Sequence, residues 1–354
     1  MAMTARPLVI DGARGEGGGQ IVRTSCALSI LTGKPVRVIH VRAGRDKPGL
    51  AKQHATAVLA AARVGGGEAR GATVRSQEIE LWPGELTPGH HHFPIGTAGA
   101  TTLVLQTILL PLALAGAPST IHLEGGTHNV KAPPFEFLEQ AYLPLIERIA
   151  GARVATIELE RAGFYPAGGG SLRVRIEPVA ALGALELAER GALQDVRATA
   201  TVWNLPRHIA ERELAVVEAE LGWKGPSLQA VTRDDSFGPG NALSLAIRSE
   251  QVTEIVTGMG ERGVPAERVA RTAVREAAAY LEAGVPIGEH LADQLLLPMA
   301  IGRGGVFRTV RPTLHTTTQA EVIRAFLDVS ISIEQESERV FRVTVQGAGL
   351  TRAS

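Results

Sequence analysis

Apolar residues recur in short bursts along the chain, and their spacing switches between a strand period and a helix period. Leu8–Asp11 reads as a strand and Gln20–Leu31 as a helix stopped by Gly33. Val36–Val41 follows as a strand, Leu50–Arg63 as a helix closed by Gly65, and Thr73–Trp82 as a strand. The next stretch repeats this order. His92–Ile95 is extended, Ala100–Ala115 helical up to Gly116, Thr120–Glu124 a strand, Phe135–Ala150 a helix ending at Gly151, and Val154–Glu160 a strand. The glycine stops keep nearly the same spacing in both stretches, Gly33 to Gly65 and Gly116 to Gly151.

The C-terminal end offers a third copy. "GEHLADQLLLPMAIG" reads as a helix, "GVFRTVRP" as a strand and "TTTQAEVIRAFL" as a helix, followed by strands around "VSISIEQ" and "RVFRVTVQG". Its opening strand is expected within "GGGSLRVRIEPV", more than a hundred residues upstream. The intervening residues form a separate unit with its own strands and two helices, "RHIAERELAVVEAELG" and "PAERVARTAVREAAAYLEAG". The expectation is an α/β (α+β) protein of three repeats, residues 1–184 plus 284–354, with an α/β insertion at 185–283.

Composition narrows the class. A length of 354 residues, 45% hydrophobic and 20% charged, suits a globular chain of one large domain plus an insertion. Only 4% of residues are aromatic, so the core must rest on Ala, Val, Leu and Ile. The 36 basic and 36 acidic residues cancel, so a polyanion site would have to be a local patch. A single cysteine, Cys26, excludes an intramolecular disulfide framework and a cysteine-rich zinc site, and suits a reducing cytoplasm. The N-terminus lacks the apolar core of a signal peptide. Phe93–Ile121 carries no Asp, Glu, Lys or Arg and is long enough to span a bilayer. Gly96, Gly99, Gln106, Pro111 and Gly116 interrupt it and no cationic flank orients it, so it reads as a buried helix.

Candidate chemistry begins in "DGARGEGGGQIVRTS". A glycine-rich turn feeding a helix suits phosphate, yet Gln20 breaks a dinucleotide fingerprint, and Gly18 and Gly19 break a P-loop. Glu16 is the loop's one carboxylate, flanked by Arg14 and Arg23. It is either a solvent-facing acid in a tight turn or the ligand of a divalent metal set against a phosphate. "RVIHVRAGRDKPGLAKQH" gathers Arg37, Arg42, Arg45, Lys47 and Lys52 against Asp46, a solvated face or a phosphodiester track, with Gln53 and His54 at the next helix start, where either can donate to a phosphate. Gln106 sits amid Leu, Val and Ile, where an amide needs a packing partner or a purine edge. The glycines of "GFYPAGGGSL" allow close backbone approach, to another element or to a ligand. Three adjacent histidines in "PGHHHFP", read as a turn, cannot all face one ion and belong to the surface. His290 opens a helix with Asp293 and Gln294 three and four residues on. His315, between a strand and a helix and near Arg311, is a candidate nucleophile beside a phosphate site.

Taken together, "DGARGEGGGQIVR", "RAGRDKPGLAKQH", "GTAGATTLVLQT", "GGTHNVKAPP", "GFYPAGGGSL", "PRHIAERE", "GPGN", "HLADQLLLPMA" and "TLHTTT" resemble the RNA 3′-terminal phosphate cyclase family over nearly the whole chain. Ala162 stands where that family often has a basic residue, and His290 where it often has an aromatic one. The resemblance implies three repeats of a two-helix, four-stranded unit with a smaller α/β domain inserted in the third. It implies ATP-dependent closure of an RNA 3′-phosphate to a 2′,3′-cyclic phosphodiester, through a histidine–AMP and an RNA–pp–A intermediate. On it, His315 matches the nucleophile, and Gln106, Pro133 or Pro134, His290, Asp293 and Gln294 match the nucleotide site. Arg23, Arg42, Arg45 and Gln53 match the phosphate-contacting set, and Glu16 matches the ligand of Mg²⁺ or Mn²⁺. The expected partners are RNA 3′-phosphate ends, with DNA ends and oligomeric state left open and no membrane involved. A non-catalytic ribosome-assembly relative would lack His315, and an enolpyruvyl-type transferase would have no use for it.

Overall fold

The computed structural model describes residues 6–351, whose strands form four four-stranded sheets. The first sheet runs Leu8–Asp11, Val36–Ile39, Ile79–Trp82, Glu68–Arg70. The second runs His90–Pro94, Ser119–Gly125, Gly170–Ile176, Ala155–Arg161, and the third Ala184–Leu187, Gly304–Thr309, Phe341–Gln346, Ser330–Gln335. Numbered by sequence within each unit, the spatial order is 1-2-4-3 all three times. Each time the first two strands are parallel and the other pairs antiparallel. A parallel neighbour requires a crossover, and a buried helix supplies it. The three-repeat expectation therefore stands in the strand order itself.

The crossover helices show why the sequence reads so apolar there. Ten of the fourteen residues of Gly19–Thr32 are buried, and twelve of the thirteen of Thr101–Ala113. The exception in the second helix is Gln106. Gly19–Thr32 packs against Lys52–Val64, Thr101–Ala113 and Leu314–Phe326, so helices of all three units meet in one layer backed by the sheets. The charge-free stretch Phe93–Ile121 is thus a strand end, a buried helix and a strand, and no helix of the described residues is long and apolar enough to cross a membrane. The helix at Phe135–Phe137 passes through a π-helical turn, Leu138–Tyr142, into Leu143–Ala150.

Three expectations need correcting. The strand in "GGGSLRVRIEPV" closes the second sheet instead of opening the third unit. Leu172, Val174 and Ile176 face the core and Arg173 and Arg175 face out, and the whole strand pairs with Ser119–Gly125. The third unit opens on Ala184–Leu187, parallel to Gly304–Thr309, so the expected boundary at residue 185 falls inside a strand. The long strand expected at Thr73–Trp82 is only Ile79–Trp82, because the polar stretch before it bends through Arg75 at a φ of 74°. A separate edge strand, Glu68–Arg70, completes that sheet.

Between Leu187 and Glu289 lies the fourth sheet, ordered Leu228–Arg233, Leu193–Trp203, Gly240–Ser249, Thr253–Met259, a 2-1-3-4 order unlike the others. Helices His208–Leu221 and Ala266–Ala283 pack on it, and Val202, Val217, Leu243, Leu245 and Ala277 belong to its own apolar cluster.

Candidate functional site

The loop that breaks both phosphate templates is shaped by its neighbours. Gly18 caps the Gly19–Thr32 helix, and a side chain there would collide with the carboxylate of Glu16, which folds back over it. A side chain on Gly19 would strike the His54 ring, which packs edge-on against the helix start. The Glu16 N–H donates to Thr318 Oγ1 at 2.9 Å, tying the loop to a helix 302 residues away. One Glu16 oxygen pairs with Arg45, whose guanidinium also donates to the Glu16 carbonyl at 3.2 Å. The other, Oε2, is buried without a partner. An orphaned carboxylate oxygen suits a hard divalent cation, which binds one or two carboxylates and takes its remaining ligands from phosphate and water. The donor set therefore fits Mg²⁺ or Mn²⁺.

The neighbouring helices complete a cleft of about 970 Å³. All eleven residues singled out from sequence line it: Glu16, Arg23, Arg42, Arg45, Gln53, Gln106, Pro133, His290, Asp293, Gln294 and His315. The starts of Gly19–Thr32, Lys52–Val64 and Leu314–Phe326 all reach it, and none carries an acidic residue in its first turn. Their unpaired N–H groups and helix dipoles favour an anion. Arg23 adds to this. It makes no hydrogen bond or ion pair among the described residues, and burial pulls its guanidinium down to about 10 against the opposing pull of Asp293. A desolvated cation of this kind is stabilised by a bound anion.

Not every expected phosphate ligand is uncommitted. Arg42 sits in the left-handed region at φ 54° and donates to the carbonyls of Lys47 (3.1 Å) and Gly49 (2.7 Å), bracing the "RDKPG" turn. The Gln53 carbonyl accepts the Ala100 N–H at 2.9 Å, capping the Thr101–Ala113 helix and leaving only its amide NH₂. Gln106 donates to Gln294 Oε1, and Gln294 Nε2 donates to the His290 carbonyl at 3.1 Å, so the odd amide in the apolar helix finds its partner in the third unit. His290 itself lies 3.4 Å from Glu276 and 3.5 Å from Glu289. The hydrogen bond to Glu276 raises its pKa to about 9.

His315 sits in the first turn of Leu314–Phe326, a helix that starts two residues earlier than expected, so the residue is not in a connecting loop. Its Nδ1 lies 3.1 Å from Gln20 Oε1, and Gln20 Nε2 donates to Asp293 Oδ2 at 2.6 Å. Because the Gln20 amide gives its NH₂ to the carboxylate, its oxygen can only accept, and Nδ1 of His315 carries the ring proton. The Nε2 lone pair then faces the cleft, 3.8 Å from Glu16 Oε1. Burial, Arg23, Arg45 and His290 all lower the His315 pKa, which keeps the ring neutral. Asp293 is raised to about 7 by burial, with His290, Arg23 and Gln20 opposing. Gln319 braces this line, accepting from Thr24 Oγ1 at 2.8 Å and donating to the Asp293 carbonyl at 3.1 Å.

Gln20 lines the cleft but was not among the residues singled out as its ligands, whereas His54, expected at a helix start as a phosphate donor, lines it too. Gln20 carried a signal, an amide opening a helix directly after three glycines and before Ile21 and Val22, and the structure buries it. His54 is held neutral, its pKa pushed down to about 3 by burial and by Arg23 and Arg42.

The family model described as RNA 3′-terminal phosphate cyclase matches residues 14–333. A protein of that name from Koribacter versatilis (strain Ellin345) is 47% identical over 97% of this chain and 97% of its own length. One from Ectopseudomonas mendocina (strain ymp) is 48% identical over 95% of this chain and 97% of its own. One from Salmonella agona (strain SL483) is 42% identical over 95% and 96%. Among solved structures, the enolpyruvyl transferase NikO from Streptomyces tendae aligns with 98% of this chain at a TM-score of 0.33 and 11% identity, this chain spanning half of that one. With the family match covering most of its length, the chain belongs to the RNA 3′-terminal phosphate cyclase family.

Proposed function

We propose that this protein uses ATP to close an RNA 3′-terminal phosphate into a 2′,3′-cyclic phosphodiester, with His315 carrying the adenylyl group between the two substrates. The observation that carries the reading is the hydrogen-bonded line from Asp293 through Gln20 to His315, which leaves Nε2 unprotonated at the cleft. In the first step Nε2 attacks the α-phosphorus of ATP, the bond to the pyrophosphate oxygen breaks and pyrophosphate leaves. No proton has to be removed beforehand, because Nε2 has none. The imidazolium character that develops is stabilised at Nδ1–H by the Gln20 oxygen, itself polarised by Asp293.

A terminal 3′-phosphate oxygen then attacks the same phosphorus, the P–N bond breaks and His315 returns to its neutral form. The phosphate, now joined to AMP as an anhydride, has a good leaving group. The neighbouring 2′-hydroxyl attacks it and AMP departs. Three displacements, the first two through a covalent enzyme intermediate, thus replace one displacement of oxide. Arg23 and Arg45, aided by the free ends of Arg42 and Gln53, hold the phosphates. Gln106, Pro133, Gln294, His290 and Asp293 surround the nucleoside. Held by Glu16, Mg²⁺ or Mn²⁺ would neutralise the polyphosphate and favour loss of pyrophosphate.

The test is a 3′-phosphorylated oligoribonucleotide incubated with ATP and a divalent cation. Expected is a product resistant to phosphatase and opened by mild acid, together with one AMP per end closed. An end that remains phosphatase-sensitive across cations and pH refutes the activity.

A further inference from the structure

The histidine run at 90–92 lies away from the cleft and is a strand instead of a turn. His91 points inward, buried and stacked against Phe93, while His90 and His92 face solvent on the outer side of the second sheet. The parallel register sets His92 directly beside His122, their rings stacked at a centroid separation of 4.9 Å. Both approach one carboxylate. His92 Nε2 lies 2.9 Å and His122 Nδ1 3.7 Å from Glu124 Oε1, and one ligand atom of each residue lies within 4.8 Å of the others.

His122 is also held from behind. Ser171 Oγ donates to Glu160 Oε2 at 2.6 Å, so its lone pair meets His122 Nε2 at 2.8 Å, and Glu160 Oε2 lies 3.1 Å from the same nitrogen. Two acceptors on Nε2 put the proton of the neutral ring there. Arg173 Nε donates to the remaining Glu160 oxygen at 2.6 Å. Glu160 reaches these partners because the strand is irregular between Leu159 and Arg161, leaving it out of register with its neighbour. Nδ1 of neutral His122 consequently presents a lone pair to Glu124, acceptor against acceptor. A cation between them resolves the opposition, and a ligand imidazole whose far N–H is held by a carboxylate is the usual support of such a site.

We propose that His92, His122 and Glu124 bind a divalent transition metal, with zinc as its ordinary occupant, on the outer face of the second sheet and separate from the cleft. Two imidazole nitrogens with one carboxylate suit Zn²⁺, Cu²⁺ or Ni²⁺ and do not suit the oxygen-seeking Mg²⁺ or Ca²⁺. Tetrahedral bonds of about 2.0–2.1 Å place ligand atoms roughly 3.3 Å apart, so side-chain rotation draws the three together. The side chains are 52%, 35% and 44% exposed, which leaves the remaining coordination position to water. The bound ion clamps the edge strand His90–Pro94 to its neighbour.

The test is calorimetric titration of Zn²⁺ into the chelator-treated full chain without nucleotide, repeated on Glu16→Ala, His92→Ala, His122→Ala and Glu160→Gln. Expected is one saturable equivalent, kept in Glu16→Ala and lost in both histidine variants. Glu160→Gln should weaken it about 10- to 100-fold. Zinc should also raise the thermal unfolding temperature of the wild type but not of His122→Ala, whose cooperative zinc-free unfolding shows that it is folded. Adduct formation with ATP and Mg²⁺ should be unchanged in His122→Ala. A wild type with no saturable equivalent, or a His122→Ala isotherm that matches it, overturns the site. So does loss of the equivalent in Glu16→Ala alone, which would assign the zinc to the cleft.

Discussion

Replacing Gln20 by leucine severs the connection between Asp293 and His315 while leaving both in place. His315 Nδ1–H loses its acceptor, and the proton becomes free to move to Nε2, where Glu16 Oε1 lies 3.8 Å away. That tautomer has no lone pair to offer the α-phosphorus. Leaving a half-buried donor unsatisfied costs about 1–3 kcal/mol, which at about 1.4 kcal/mol per decade slows transfer of AMP to His315 about 5- to 150-fold. Asp293, stripped of the Gln20 hydrogen bond that now opposes its burial, becomes harder to ionise than its present value of about 7. Arg23, Arg45 and Gln106 are untouched, so the loss should appear in the rate at saturating ATP and not in the ATP concentration for half-maximal rate. The assay is single-turnover adduct formation, read by intact mass at several ATP concentrations and checked by thermal unfolding. Gln20→Glu keeps an acceptor for Nδ1–H, and a protonated Asp293 can supply the bridging hydrogen, so it should recover part of the rate. A folded Gln20→Leu protein that forms the adduct at the wild-type rate refutes the tautomer argument.

Other perturbations separate the parts of the cleft. Glu16→Ala removes the orphaned oxygen and should shift the Mg²⁺ or Mn²⁺ dependence of adduct formation to higher concentration; an unchanged metal titration removes Glu16 from the metal site. Gln106→Leu leaves Gln294 Oε1 without its donor and should raise the half-saturating ATP concentration roughly tenfold, a loss of about 1.4 kcal/mol; an unaltered ATP dependence contradicts the nucleoside assignment. His54 titrates at about 3 in the folded chain but near 6.5 when unfolded. Between those values the unfolded chain binds the extra proton, so stability falls as pH drops through that window. His54→Asn keeps an acceptor for the Ala51 N–H, which now reaches Nδ1 at 3.2 Å, and should flatten that fall in urea unfolding curves; an equal acid slope in both proteins contradicts it.

Much of the cleft was legible because its residues violate their local pattern. Gln106 is an amide in a run of Leu, Val and Ile, and the structure makes it the one residue of its helix that is not buried. The "RAGRDKPGL" charges stand out in a neutral chain and reach the cleft, although Arg42 spends part of its guanidinium on its own turn. What was not legible depends on contacts between units. Thr318 supports Glu16 from 302 residues away, and Gln20 links residues 273 and 295 positions distant, with nothing local to announce either. The third unit's opening strand was misplaced for a related reason. "ALEL" is too short and too plain to compete with the clean alternation of "GSLRVRI", and only pairing with Gly304–Thr309 identifies it. The glycines of "GFYPAGGGSL" serve close approach within the protein, where Gly163 packs against Gly170 and Gly169 against Phe237.

Covalent chemistry at His315 is tested most directly by the mass of the intact protein after incubation with ATP and Mg²⁺ or Mn²⁺, before any RNA is added. The expected result is a gain of one adenylyl group, acid-labile as a phosphoramidate is, mapped by peptide fragmentation to His315 and absent from His315→Ala. A wild-type protein that stays unmodified across cations and pH, or an adduct that persists in folded His315→Ala, would contradict it.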